Sequence, residues 1–164
     1  MKTLLLLRHA KSSWKDSDID DHERPLNKRG KKDAPKMGKL IGEEALLPDC
    51  IVSSSAKRCR KTTEQVIQHS GFRGETRICG DLYEADAARL CEFLTKLDDR
   101  FSHVLLIAHN PGMEELLESL TGVYTPLSTA SLAKVELSID SWTNIASGTQ
   151  GSLVKVWQPR ELEE

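Results

Sequence analysis

Three short segments of this chain carry residue types that fit one kind of reaction. Arg8-His9 stands near the amino terminus, Ser53-Ser54-Ser55 runs up to Arg58, and His109-Asn110 lies far downstream. Each has a plain structural reading when taken singly: a charged pair ending a strand, one charge on a solvated helix face, a hydrogen-bonded loop histidine. Together, two histidines and two arginines suit phosphoryl transfer. A neutral histidine can act as a covalent nucleophile and divide one hard displacement into two easier ones. Neighbouring arginines disfavour the imidazolium and so lower the histidine pKa. Guanidinium forks match phosphate oxygens and offset the charge of the transferring group. A second histidine, protonated once phosphate is bound, adds another donor.

These groups need a scaffold, and the surrounding pattern supplies one. The apolar run Met1 to Leu7 reads as a buried central strand that ends at Arg8. Cys50-Ile51-Val52 and Val104 to Ala108 read the same way, and each leads straight into one of the other two segments. Ligands on open α/β sheets bind at the carboxyl ends of the strands, so all four side chains should share one rim. Helices are expected from Asn27, as N-cap, through Glu44, from Ala56 to His69, from Ala87 to Leu97 and from Met113 to Leu120. The first amides of the Ala56 helix would add anion affinity. Pro35 either kinks the first helix or marks its true beginning.

Arg77-Ile78-Cys79 is a weak further strand. Ser131 to Ser138 alternates Ala133, Val135 and Leu137 against Leu132, Lys134 and Glu136. After a turn at Gly151, Leu153 to Trp157 places Val154 and Val156 on one face and Lys155 on the other. Residues 11–25, with Asp16, Asp18, Asp20 and Asp21, read as a solvated loop or as charge bordering a basic pocket. Strand–helix alternation followed by an antiparallel pair implies an α/β fold: a three-layer α/β/α sandwich with a mixed, mostly parallel sheet.

Composition narrows the remaining classes. The 164 residues fit a single domain, 1–164, and 23 Lys+Arg against 25 Asp+Glu leave a net charge of −2. That balance argues against bulk binding to nucleic acid or an anionic membrane. The leading apolar run is too short for a secretory signal, and no segment approaches the roughly 20 apolar residues that span a bilayer. Cys50, Cys59, Cys79 and Cys91 form no Cys-x-x-Cys pair, so free thiols and a cytoplasmic location are expected. Rival phosphatase chemistries lack their residues. No cysteine is followed by arginine at Cys-x5-Arg spacing, no Gly-x4-Gly-Lys-Ser/Thr loop exists, and no apolar strand precedes Asp16 and Asp18. No metal or cofactor is called for.

Leu7-Arg8-His9-Ala10 resembles the Arg-His-Gly signature of the histidine phosphatase superfamily, the phosphoglycerate-mutase-like fold. Ser53 to Thr62 is similar to its Ser-Ser-Pro-x-x-Arg-x-x-x-Thr segment, and Ala108 to Gly112 to the block holding its second histidine. With Arg24-Pro25-Leu26 and Arg29-Gly30, the chain is most similar to the small SixA-like phosphohistidine phosphatases. The resemblance implies that His9 becomes phosphohistidine and that Arg8, Arg58 and His109 form the phosphate pocket. It adds Arg24 as a further phosphate ligand, or else a charged loop residue fixed before Pro25. Glu84, in Leu82-Tyr83-Glu84, is its candidate general acid, or else a helix-start carboxylate. A phosphoramidate can dispense with such an acid, whereas a phosphate ester depends on it.

Two positions depart from the family pattern. Ala10 stands for the usual glycine, which matters only if φ there is positive. Ser55 stands for the usual proline, with loop stiffness the expected effect. A short chain leaves little material for a lid, so the expected substrate is protein phosphohistidine. The alternatives are a small-molecule phosphomonoesterase of the same superfamily and a non-catalytic phosphate-binding module.

Overall fold

The four consecutive leucines of the first strand are all fully buried, and they divide between two separate cores. Leu4 and Leu6 face one side of a sheet, Leu5 and Leu7 the other, as the two-residue period of a strand requires. The computed structural model describes residues 1–146 and 150–162. Its sheet comprises β1 (Lys2–Arg8), β2 (Cys50–Ser54), β3 (Glu75–Cys79), β4 (His103–Ala108), β5 (Leu132–Leu137) and β6 (Gly151–Trp157), in the order β3-β2-β4-β1-β5-β6. The first four are mutually parallel; β5 runs antiparallel to β1, and β6 antiparallel to β5.

Helices α1 (Lys28–Glu43) and α2 (Lys57–Ser70) pack on Leu5, Leu7, Ile51 and Ile107 through Met37, Ile41, Cys59 and Val66. On the opposite face, α3 (Ala87–Thr95) and α4 (Gly112–Thr121) cover Leu4, Leu6, Val52 and Leu106 with Leu90, Leu94, Met113 and Leu116. The architecture is therefore the expected three-layer α/β/α sandwich. Each fully buried leucine contributes roughly 1.5–3 kcal/mol, so the strands that carry the rim residues are the best-anchored part of the molecule.

Local signals explain the element ends. Asn27 accepts the Gly30 amide at 2.8 Å, so α1 starts at Lys28 and Pro35 lies inside the helix rather than at its beginning. Gly71, at φ 82°, closes α2 in the left-handed conformation that glycine adopts freely. At Gly30 an added Cβ would lie 2.1 Å from the Lys11 carbonyl oxygen, so only glycine lets α1 approach the chain that follows His9.

Two strand details differ from the alternation read in the sequence. Gly151 is the first residue of β6 rather than a turn. Lys134 pairs with Lys155 but Val135 pairs with Leu153, which leaves Val154 as an extra, bulged residue. The bulge resets the period, so Leu153 and Val156 share the core face and Val154 is 49% exposed.

Candidate active site

Parallel register brings the rim together. Arg8 pairs with Ala108 across β1 and β4, and Ser53 pairs with Ile107 across β2 and β4, so the three strands end side by side. His9 follows β1, His109 follows β4, and their ring centroids lie 5.2 Å apart. Arg58 enters from the first turn of α2. All four residues line one cavity of about 580 Å³, together with Arg24 and Glu84. His9, His109, Arg58 and Arg24 are buried on its floor, whereas Glu84 is exposed at its rim.

The protonation state of His9 follows from its contacts. Its Nδ1 lies 2.7 Å from the Ala10 carbonyl oxygen, which can only accept, so the ring proton sits on Nδ1 and Nε2 keeps a lone pair. Burial is the main cause that lowers its pKa to about 3, and His109, Arg58 and Arg8 add charge repulsion against the bond to Ala10. The arginines contribute as the sequence implied, but desolvation dominates. Thr62 accepts the Ala10 amide at 3.0 Å and donates to the Arg58 carbonyl at 2.7 Å, pinning the His9 loop to α2. Among the described residues the positive-φ residues other than glycine are Ala45, Glu84 and Ala130, so Ala10 carries no backbone penalty for its missing glycine.

His109 is neutral for a similar reason: burial, then the Arg58 charge, lowers its pKa to about 4. Its Nε2 lies 2.7 Å from Ser54 Oγ and 3.5 Å from Cys59 Sγ, a buried thiol whose pKa burial pushes up to about 12. With Ser54 as donor, the ring proton of His109 sits on Nδ1. Arg8 Nε, Arg58 Nε and His109 Nδ1 are all buried with no hydrogen-bond partner among the described residues. Buried polar groups are rarely left so. Three unsatisfied nitrogens on residues lining one cavity fit an oxyanion with several acceptor oxygens.

The other nitrogens of these arginines are used for positioning. Arg8 Nη1 donates to the Leu127 carbonyl at 2.9 Å. Arg58 donates from Nη1 to the Asp21 carbonyl at 2.8 Å and from Nη2 to the Asp21 carboxylate at 3.0 Å. Asp21 also accepts from Arg24 Nε at 3.0 Å and from the Tyr83 hydroxyl at 2.5 Å. Partial burial pushes the Asp21 pKa upward, but the bonds from Tyr83 and Arg58 and the charges of Arg58 and Arg24 outweigh it and hold it at about 2. Of the four loop aspartates, Asp21 is the one that borders the basic pocket, whereas Tyr83, which organises this floor with it, has no signal of its own in the sequence. Tyr83 also sets its ring edge-on to His109 at 5.6 Å.

Several sequence expectations change at this level. At the start of α2 the Ala56 amide is taken by Ser54 Oγ at 3.2 Å, and Asn110, Pro111 and Gly112 also line the cavity at the start of α4. The helix-start carboxylate is Asp86, which caps α3 by accepting the Arg89 amide, so Glu84 does not have that role. Glu84 instead holds φ at 53°, a left-handed conformation costing roughly 1 kcal/mol for a residue with a Cβ. Ser55 does more than alter loop stiffness, since its Oγ lies 2.8 Å from His22 Nε2 and ties the loop before α1 to the start of α2. That loop is stitched at its base, where Ser13 donates to Pro25 and Asn27 to Lys11.

An α/β sandwich that gathers two neutral histidines and two arginines at one end of its central strands has the chemistry for phosphoryl transfer. The comparisons agree. Residues 4–90 match the model of the histidine phosphatase superfamily (branch 1), and the chain belongs to that family. An uncharacterised chloroplastic protein of Arabidopsis thaliana is 33% identical over 150 residues, which cover 86% of this chain and 69% of the relative. A 2,3-bisphosphoglycerate-dependent phosphoglycerate mutase of Streptomyces avermitilis is 31% identical over 102 residues, covering 55% of this chain and 40% of that one. Among solved structures, SixA of Agrobacterium tumefaciens superimposes with a TM-score of 0.83 at 25% identity, covering 96% of this chain and 98% of the other. The protein histidine phosphatase SixA complexed with tungstate gives 0.84 at 19% identity, covering 98% and 99%. The protein is a histidine-nucleophile phosphatase.

Proposed function

We propose that His9 is the nucleophile, that Arg8, Arg58 and His109 hold the transferring phosphoryl group, and that the substrate is phosphohistidine on another protein. One observation carries the reading: His9 donates its only ring proton to Ala10, which leaves a neutral Nε2 in a cavity lined by three residues with unpartnered nitrogens. In the first step Nε2 bonds to phosphorus as the bond to the leaving nitrogen or oxygen breaks, and the leaving atom takes a proton. In the second, water attacks phosphorus, the nitrogen–phosphorus bond breaks, and inorganic phosphate departs with His9 neutral again. Arg8 and Arg58 offset charge on the non-bridging oxygens in both steps. Arg24 lines the same cavity and shares the Asp21 carboxylate with Arg58.

The rim supports a protein substrate. Glu84, Asp86 and Glu115 are exposed carboxylates lining the same cavity. They repel a small metabolite that carries its own carboxylate or a second phosphate, and tolerate a neutral side chain on a polypeptide. The protonated nitrogen of a phosphoramidate leaves without help, so Glu84 is dispensable for phosphohistidine and needed for an ester. The test is turnover of a histidine-phosphorylated carrier protein and of phenyl phosphate by wild type, His9→Ala and Glu84→Gln. His9→Ala should abolish both activities. Glu84→Gln should cost about 100-fold or more on the ester, the usual size of a lost general acid, and under about threefold on the phosphoprotein. Faster turnover of esters than of the phosphoprotein would overturn the substrate assignment.

A further inference from the structure

Trp14 is 76% exposed, yet it lines the catalytic cavity. One face of its indole is occupied: the Arg24 guanidinium carbon lies 3.4 Å from the ring centroid. Arg24 in turn is buried, held by Asp21 through Nε and by the Ser13 carbonyl through Nη1 at 3.4 Å. The indole is thus anchored from below by a guanidinium that itself belongs to the cavity floor, and its remaining surface is open to solvent at the mouth. A large aromatic side chain loses hydrophobic stabilisation by standing there. The loop that carries it is stitched closed at its base and tied to α2 through His22 and Ser55, so the platform is fixed before any substrate arrives.

We propose that Trp14 is a specificity-determining residue, a stacking platform that selects substrates whose leaving group carries a flat aromatic ring beside the phosphoryl group. This deepens the phosphatase reading and rests on it, since the ring stacked on Trp14 must belong to the molecule whose phosphoryl group lies on Arg8, Arg58 and His109. The imidazole of a phosphohistidine side chain meets that description, as does any aryl phosphate. Ring–ring contacts favour offset or edge-to-face arrangements and reward aromatic over saturated rings of the same size. Stacking Arg24 beneath the indole strengthens the platform by cation–π attraction.

The matched pair phenyl phosphate and cyclohexyl phosphate isolates this effect, because each variant is compared with wild type on the same substrate. Trp14→Ala should lower the phenyl-to-cyclohexyl ratio of kcat/KM by about fivefold, mostly through KM, the size of one ring contact. Trp14→Phe should restore most of it. Equal losses on both substrates would show that Trp14 only shields Arg24, and unaltered kinetics would show that it does not touch substrate; either result overturns the proposal. Binding of benzylphosphonate against methylphosphonate, followed by calorimetry, separates this from the phosphatase reading. If no substrate is hydrolysed, the phosphatase reading fails, whereas a benzyl preference lost in Trp14→Ala still supports the platform and its absence in wild type overturns it.

Discussion

Acid is expected to unfold this protein through its two site histidines. His9 is held at about 3 and His109 at about 4, against about 6.5 for a free side chain. Above pH 6.5 both groups are neutral in the folded and the unfolded chain, and neither affects stability. Below it the unfolded chain binds protons that the folded chain refuses, so stability falls as pH drops toward the folded values. Each group contributes a slope of roughly 1.4 kcal/mol per pH unit in that window. Between pH 6.5 and 4.5 the pair together costs about 5 kcal/mol, which is of the order of a whole domain's stability. Urea unfolding of wild type and His9→Gln at pH 7, 5.5 and 4.5 measures it. Below pH 6 the variant's stability should fall less steeply, by about 1.4 kcal/mol per pH unit. Parallel curves would refute the reasoning, because His9 would then titrate alike in both states.

Asp21→Asn removes the charge that Arg58, Arg24 and Tyr83 share. The carboxylate is 39% exposed, so its low pKa translates into about 1 kcal/mol after solvent screening, a fall in Tm of roughly 2–4 °C. That contribution is present above the ordinary carboxylate pKa and is lost as pH falls toward 2. The same variant should lower kcat/KM on phenyl phosphate by about tenfold, since Arg58 loses the group that aims it. Gly30→Ala should destabilise by about 1–3 kcal/mol in urea unfolding and depress activity, because its Cβ meets the Lys11 carbonyl and pushes on the chain after His9.

The sequence makes the scaffold legible where physics leaves little choice. Four leucines ending on Arg8 read as a strand buried on both faces, and the strand-end rule then groups His9, Arg58 and His109. The same rule is silent about Asp21, one of four aspartates in six positions, whose selection depends on Tyr83 being folded back from 62 residues away. Period-two reading fails at Val154 because a bulge inserts one residue without any local glycine or proline signal. The carboxylate of Glu84 is legible in the sequence, but its left-handed backbone is imposed by the path from β3 to α3, which no residue type in Leu82-Tyr83-Glu84 announces. Trp14 carries no signal in the sequence, because it sits in a polar loop whose closure only tertiary hydrogen bonds define.

Rapid quenching of wild-type turnover, followed by peptide mass spectrometry under alkaline conditions, tests the central claim most directly. The expected result is one acid-labile phosphoryl group on His9, formed and lost at the rate of turnover and absent from His9→Ala. Phosphorylation of another residue, or hydrolysis by His9→Ala at the wild-type rate, would contradict it.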